Sequence, residues 1–365
     1  MSIDHYHALT ITQIRPETDE AVCITFDVPT ELKSVFSFRQ GQFITLRAEI
    51  DGELVARSYS ICSGVNDDVL QVAIKRVRGG RFSNYANDHL KPGDTIEVLP
   101  PQGHFYSELN PAQQKNYMCL AAGSGITPIL SIIKTILQTE AKSRVTLIYG
   151  NRRSSTVMFK DDLSFLKNRY LTRFQWINIM DEEDQGSDLL NGYIDNKKGA
   201  ALQKSRLIDI YATDEAFICG PEAMMSEVSR GFRAAGLKDE NIHYELFASS
   251  LKDAEKVLQK SQQRKQEYGE AQTSKVTIIV DGRTTRFDLA TVGENILDAG
   301  QHHGMELPHS CKAGVCSTCK AKLIKGKVDM DITHGLEQKE IEQGYILTCQ
   351  AHPVTEEVEI DFDQR

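Results

Sequence analysis

Four cysteines constrain this chain more than any other feature. The run Cys311-Lys-Ala-Gly-Val-Cys316-Ser-Thr-Cys319 is completed downstream by Cys349. The spacing C-x4-C-x2-C…C is that of four thiolates holding a plant-type [2Fe–2S] cluster. A loop with this spacing must wrap an inorganic core from one side while a distant strand supplies the fourth ligand. The residues between the ligands, Ala313, Gly314, Ser317 and Thr318, are small. That suits a backbone whose N–H groups approach sulfide and whose glycine adopts dihedrals closed to other residues. Zinc sites usually offer paired C-x2-C units or added histidines, and here one such unit stands with two single cysteines. A disulfide framework does not suit a chain of this length with no secretory signal.

The remaining residues give that module company. A chain of 365 residues has room for two or three cores. Hydrophobic content of 40% and charged content of 25% are ordinary for a globular protein. The net charge of −9 argues against nucleic acid as the main partner. Met1-Ser-Ile-Asp-His-Tyr-His has neither a basic nor an apolar leader pattern. The longest uncharged run, 116–133, is broken by Gly123, Gly125 and Pro128 and so does not read as a membrane span. The expected location is the cytoplasm. Cys23, Cys62, Cys119 and Cys219 lie in apolar contexts, and three of them read as plain core residues.

Residues 1–108 read as short strands around 21–28, 42–46, 69–74 and 95–98, with Asp51-Gly52 as a hairpin turn. The simplest architecture is a small antiparallel barrel. Arg57-Ser-Tyr59-Ser60 sets a guanidinium and an aromatic ring on one strand face, with a hydroxyl beside them. A flavin needs such a set, although cross-strand pairs of this kind also occur with no ligand. Gly79-Gly80-Arg81-Phe82-Ser83 opens a short helix, where backbone amides with Arg81 and Ser83 make a pyrophosphate seat.

From 109 to 248 strands alternate with helices, the pattern of a doubly wound parallel sheet with ligands at the strands' carboxyl ends. Gly123-Ser-Gly125-Ile-Thr127-Pro128 turns one strand into a helix, with Thr127 expected as N-cap. Cys219-Gly220-Pro221 occupies a second such turn, where a thiol can face a nicotinamide ring or simply be buried. Residues 249–272 are rich in Lys, Gln and Glu and read as a polar linker, partly helical or flexible. As a coil it would span roughly 25–30 Å. Residues 273–365 form the compact cysteine module, with a hairpin at 275–287, a helix at 294–303, and strands at 320–324 and 358–362.

In this order the chain resembles the ferredoxin–NADP⁺ reductase superfamily fused to a plant-type ferredoxin, over nearly its whole length. The resemblance implies an antiparallel β-barrel flavin domain, an α/β nicotinamide domain and an α+β (β-grasp) ferredoxin domain. It implies that Arg57 meets the flavin phosphate, Tyr59 stacks on the isoalloxazine and Ser60 reaches its reactive nitrogen. Gly80, Arg81 and Ser83 match the family's pyrophosphate segment, and Gly123, Gly125 and Thr127 its dinucleotide loop. Cys219 and Gly220 match the residues beside the hydride-transfer centre, and Glu245 with Phe247 the E-x-F ending near the flavin. Arg152 and Arg153, followed by Ser154 and Ser155, would suit a 2′-phosphate, hence NADPH over NADH. Within the superfamily the layout is similar to the reductases of ring-1,2-phenylacetyl-CoA epoxidase complexes, which pass electrons from NAD(P)H through FAD and [2Fe–2S] to a diiron oxygenase. Reductases of Rieske dioxygenases, desaturases and hybrid-cluster proteins share it. A zinc-stabilised interaction module on a nucleotide-binding scaffold is the non-redox alternative. Lys312, Lys320, Lys322, Lys325 and Lys327 read as a solvated strand edge or as a basic rim for an acidic partner.

Overall fold

The computed structural model describes residues 5–247, 251–269 and 272–364. The chain divides into two compact units, 1–246 and 247–365.

The first unit opens with β1 (His7–Thr18), β2 (Ala21–Asp27), β3 (Phe43–Ile50), β4 (Glu53–Ser60), β5 (Leu70–Lys75), α1 (Arg81–Asp88) and β6 (Thr95–Gln102). The six strands run in the order β4-β3-β6-β1-β2-β5, all pairs antiparallel. An isolated bridge between Ile61 and Val72 brings the two edges together into a barrel. Asp51 and Gly52 both take positive φ, 54° and 77°, as the tight turn between β3 and β4 requires. Alternate residues point inward, so Leu9, Ile11, Ile24, Ile44, Leu46, Val72, Ile74, Ile96 and Val98 form the barrel core. β1 is not among the strands expected from sequence; it contains Pro16, which the structure accommodates beside a register shift.

The parallel sheet follows as β7 (Asn116–Ala122), α2 (Ile126–Thr139), β8 (Arg144–Asn151), α3 (Lys160–Arg169), β9 (Phe174–Met180), α4 (Asn196–Lys204), β10 (Glu215–Cys219), α5 (Glu222–Ala234) and β11 (Ile242–Glu245). Its order is β11-β10-β7-β8-β9. The chain runs outward from β7 in one direction and returns to build the other side from β10. The reversal lies between β7 and β10, and sheets of this kind take ligands outside the strands' carboxyl ends at such a point. Helix α2 is apolar nearly all round because it packs with the sheet on one side and with barrel residues Cys23, Cys62 and Ala73 on the other. Charges reinforce that junction: Arg15 Nη2 lies 2.9 Å from Asp162 Oδ2, and Lys134 Nζ lies 3.2 Å from Asp162 Oδ1.

In the second unit α6 (Leu251–Tyr268) leads into β12 (Thr273–Val280), β13 (Arg283–Ala290), α7 (Ile296–His302), β14 (Lys320–Lys325), β15 (Val328–Met330), α8 (Gln338–Glu342), β16 (Tyr345–Leu347), β17 (Ala351–Pro353) and β18 (Glu357–Asp361). The main sheet, β13-β12-β18-β14-β16, is mixed, with β12 and β18 parallel. Ile296, Leu297 and Ala299 of α7 share its core with Val276, Ile278, Val358 and Ile360. β15 and β17 form a separate ladder. The polar segment expected as a linker is helical over Leu251–Tyr268, so the reach of a flexible coil does not describe it.

Candidate functional sites

The β4 motif and the Gly-Gly motif meet on the barrel. Between β4 and β5 the pairing is limited to the Ile61–Val72 bridge, which leaves a seam beside Arg57 and Tyr59. Helix α1 packs there, with the Phe82 ring centroid 5.6 Å from that of Tyr59. Burial raises the Tyr59 phenol above its ordinary range, with the Arg57 charge opposing, so the ring is a neutral stacking surface. Arg57 is exposed, and its Nη1 donates to Ala56 O at 2.7 Å. Gly80 precedes α1, and a Cβ there would lie 2.5 Å from Ser83 Oγ. Ser83 itself is buried and turned inward: its hydroxyl accepts from Val77 N–H at 3.1 Å and so holds the turn. Arg81 pairs with Glu53 and donates to Ile50 O at 2.7 Å. Of the expected pyrophosphate group, Gly80 shapes the turn while Arg81 and Ser83 are engaged within the protein.

The dinucleotide loop and the Cys219 turn also meet, at the crevice between β7 and β10. A Cβ on Gly125 would lie 2.2 Å from Cys219 O and 2.6 Å from its carbonyl carbon. A Cβ on Gly220 would lie 2.6 Å from Met224 Cε and 3.1 Å from Ala122 Cβ. Two turns therefore touch backbone to backbone, and only glycine fits at the contact. Gly123 takes a φ of +53° and its carbonyl accepts from Tyr149 OH at 2.9 Å. Thr127 is not the N-cap expected of it. The short 3₁₀ turn Gly123–Gly125 runs straight into α2, and Thr127 Oγ1 donates back to Ser124 O at 3.0 Å. Lys75, at the end of β5, was missed from sequence. Its Nζ lies 4.0 Å from where a Gly123 Cβ would stand, a cation at the mouth of this crevice.

Ser60, Cys219 and Glu245 converge where barrel meets sheet. Cys219 and Glu245 are register partners on β10 and β11. Ser60 Oγ donates to Glu245 Oε2 at 3.2 Å across the junction. Burial pushes the Glu245 carboxyl up to about 8, with the Ser60 bond opposing. Burial, and then Glu245, raise the Cys219 thiol well above its usual range, so the group is a neutral thiol. Cys219 is only 1% exposed. Phe247 is the first residue of the second unit and is 46% exposed.

The expected 2′-phosphate cluster is occupied by carboxylates. Arg152 Nη2 lies 3.0 Å from Glu20 Oε2, and Arg153 Nε lies 3.2 Å from Glu182 Oε2. Glu183 accepts from both the N–H and the hydroxyl of Ser154 at 2.7 Å. These bonds hold the Glu183 carboxyl below the ordinary range, the Ser154 N–H contributing most.

In the second unit the four cysteines form two pairs. Cys311 and Cys316 sulfurs are 3.2 Å apart, and Cys319 and Cys349 share a side-chain hydrogen bond. Among the described residues no group of three or more His, Cys, Asp or Glu side chains is arranged to hold a single metal ion. Two thiolate pairs are what a two-iron cluster requires. The loop also matches that chemistry. The shared bond lowers the Cys311 thiol and raises that of Cys316, and the N–H groups of Ala313, Cys316 and Val315 favour a thiolate at Cys311. Gly314 has a φ of +71°, and a Cβ there would lie 2.8 Å from Gln350 Cγ and 2.9 Å from Ile332. Four of the five lysines around it are engaged within the protein. Lys312 pairs with Asp298, Lys320 with Glu340, Lys325 with Glu357, and Lys322 donates to Gln343 O.

Comparison with known proteins gives the same three parts. Residues 9–106 match an oxidoreductase FAD-binding domain, 119–230 an oxidoreductase NAD-binding domain and 278–354 a 2Fe-2S iron-sulfur cluster binding domain. The chain is 44% identical to one component of the 1,2-phenylacetyl-CoA epoxidase of Escherichia coli K12, covering 99% of this chain and 98% of that one. It is 33% identical to the ferredoxin reductase component of 3-ketosteroid-9-alpha-monooxygenase of Rhodococcus rhodochrous, covering 97% and 96%. Phthalate dioxygenase reductase shares the fold at a TM-score of 0.57, with 21% identity and 98% of both chains covered. Among the described residues no helix is long and apolar enough to cross a membrane.

Proposed function

Since the chain belongs to the oxidoreductases that join FAD-binding, NAD-binding and 2Fe-2S domains, we propose that it is the reductase of a diiron oxygenase acting on phenylacetyl-CoA, in phenylacetate catabolism. The observation that carries this reading is the near full-length identity of 44% to the epoxidase component. The cytoplasm, where NAD(P)H is made, is its proposed location. We place the domain boundaries at 108/109 and 248/249, with the helix at 251–268 counted with the ferredoxin part.

When bound, FAD accepts an electron pair as hydride from NAD(P)H and the [2Fe–2S] cluster carries the electrons onward singly. The chain's own residues place and tune these groups. Arg57 and Tyr59 on the seam would hold the flavin's phosphate and ring face, and the N-terminal amides after Gly80 its pyrophosphate. Gly123, Gly125 and Gly220 let the coenzyme backbone approach the crevice, with Lys75 supplying positive charge at its mouth. Cys219 offers a neutral donor at the junction, Ser60 donates to Glu245, and Glu245 holds a proton at neutral pH. Cys311, Cys316, Cys319 and Cys349 would hold the cluster.

Glu245 gives the site a pH dependence. Below about 8 its carboxyl is neutral, and above that an anion would stand where negative charge arrives with the hydride. Flavin bleaching by coenzyme in stopped flow should slow as pH rises through about 8, and E245Q should remove that limb. A pH profile unchanged by E245Q would count against the assignment. Stability has the same sign. The native carboxyl keeps its proton above the ordinary value of 4.5 and the unfolded one does not, so stability declines as pH rises from about 4.5 to about 8.

Arg152, Arg153 and Ser154 carry the donors a 2′-phosphate uses, and we propose NADPH as coenzyme. Glu183 competes for that seat, so E183Q should lower the KM for NADPH about tenfold and leave that for NADH unmoved. Equal KM changes for both coenzymes would remove Glu183 from this role. The whole reading is tested by anaerobic reduction with NADPH, then transfer to a purified phenylacetyl-CoA oxygenase component. Substrate oxidation should require this chain. Transfer to a Rieske oxygenase component in its place would redirect the proposal.

A further inference from the structure

The helix α6 is joined to the cysteine loop by a chain of charges buried at Arg264 and Asp331. Arg264, 4% exposed, reaches Asp331 Oδ1 and Asp329 Oδ2 at 2.6 Å from one nitrogen. Lys260 on the same helix lies 2.9 Å from Asp329 Oδ1. The other oxygen of Asp331 meets His352 Nε2 at 3.2 Å. Asp331 N–H donates to Gln350 O at 2.9 Å, beside the Cys349 ligand position. The next residue, Ile332, fills the space where a side chain on Gly314 would be. Gly335 N–H then donates to Gly314 O at 2.9 Å, and a Cβ on Gly335 would lie 2.4 Å from Cys316 O. The stretch 331–335 thus lies against the cysteine loop with no room for a methyl group at either glycine. Gln350 bridges the two sides, donating from Nε2 to Lys312 O at 3.2 Å.

A mere spacer has no need of a buried arginine. An isolated buried guanidinium is costly, and this one is held by two carboxylates at the base of the segment that covers the loop. We propose that Arg264 is a positioning residue for the iron–sulfur cluster, anchoring through Asp331 the 331–335 segment over the cysteine loop, so that α6 is part of the electron-transfer module. This rests on the cluster assignment made above. Arg264 pairs with Asp329 and Asp331, and its effect on the cysteine loop would pass through Asp331.

The test uses the full-length protein. Iron, acid-labile sulfide and a reduced-state EPR signal in the wild type establish the cluster, and their absence would defeat the function reading whatever Arg264 does. In R264Q, iron should pass to a chelator about ten- to a hundredfold faster, the range known for residues that support metal ligands. The g-anisotropy of the reduced signal should change with it. D331N should reproduce both effects, and the double variant should be no worse than the more severe single one. R264K keeps the charge with fewer donors and should fall between wild type and R264Q. Wild-type iron release and EPR in R264Q, with only a lower unfolding temperature, would overturn the proposal. Where R264Q does not fold, R264K decides: faster release supports the positioning role, and wild-type release with a wild-type signal overturns it.

Discussion

Cys349→Ser should give a protein that NADPH still bleaches but that no longer serves the oxygenase. Cys349 is 3% exposed and pairs with Cys319, so its loss removes half of one thiolate pair. Thr348 fixes that strand end, its Oγ1 donating to Cys319 O at 3.0 Å. The serine hydroxyl would therefore remain in place while lacking the soft anionic donor iron requires. The flavin and coenzyme sites lie in the other unit and keep their residues intact. Oxygenase-linked turnover should fall by more than about a hundredfold, since changing a ligand costs more than changing the residue that supports one. A dye that accepts directly from flavin should be reduced at the wild-type rate. If C349S retains its iron and its oxygenase-linked turnover, the fourth-ligand assignment fails.

The ligand set is legible in the sequence because it is local. Three of the four cysteines lie within one loop, and the spacing is itself the chemical requirement. The hairpin turns are legible for a similar reason. Asp51-Gly52 and Asp281-Gly282 all carry positive φ in the structure, a property of the two residues rather than of the fold. Helix α6 is harder because its buried contacts are ionic. Arg264 and Lys260 do the packing that leucines usually do, so no apolar stripe marks the segment. The Ser60–Glu245 bond joins residues 185 positions apart and depends on how barrel and sheet meet. No local pattern announces it. Arg81 and Ser83 sit at the expected helix start, yet Glu53 and Val77 take their side chains, and partners of that kind are a tertiary outcome. The lysines near the cysteine loop are half legible. Their positions are plain, but the carboxylates that pair with Lys312, Lys320 and Lys325 come from elsewhere in the sequence.

Gly125→Ala should strongly damage the coenzyme site although it removes no reacting group. The new methyl would lie 2.2 Å from Cys219 O and 3.1 Å from Gly220 N. Both are backbone atoms, so no side chain can swing away to make room. Gly125 itself has an ordinary φ of −61°, and the damage therefore comes from contact and not from backbone strain. Relief requires the ends of β7 and β10 to part, and these form the floor of the coenzyme crevice. A displacement of about 1 Å there is enough to cost about a hundredfold in a reaction that depends on alignment. The seam at Arg57 and Tyr59 is on the barrel and is untouched, so the variant should purify with its flavin. Stopped-flow bleaching by NADPH should slow by about that factor, while reduction of the same flavin by dithionite stays at the wild-type rate. Bleaching within about twofold of wild type would mean that the β7 and β10 turns can separate freely, and the crevice would then need a different account.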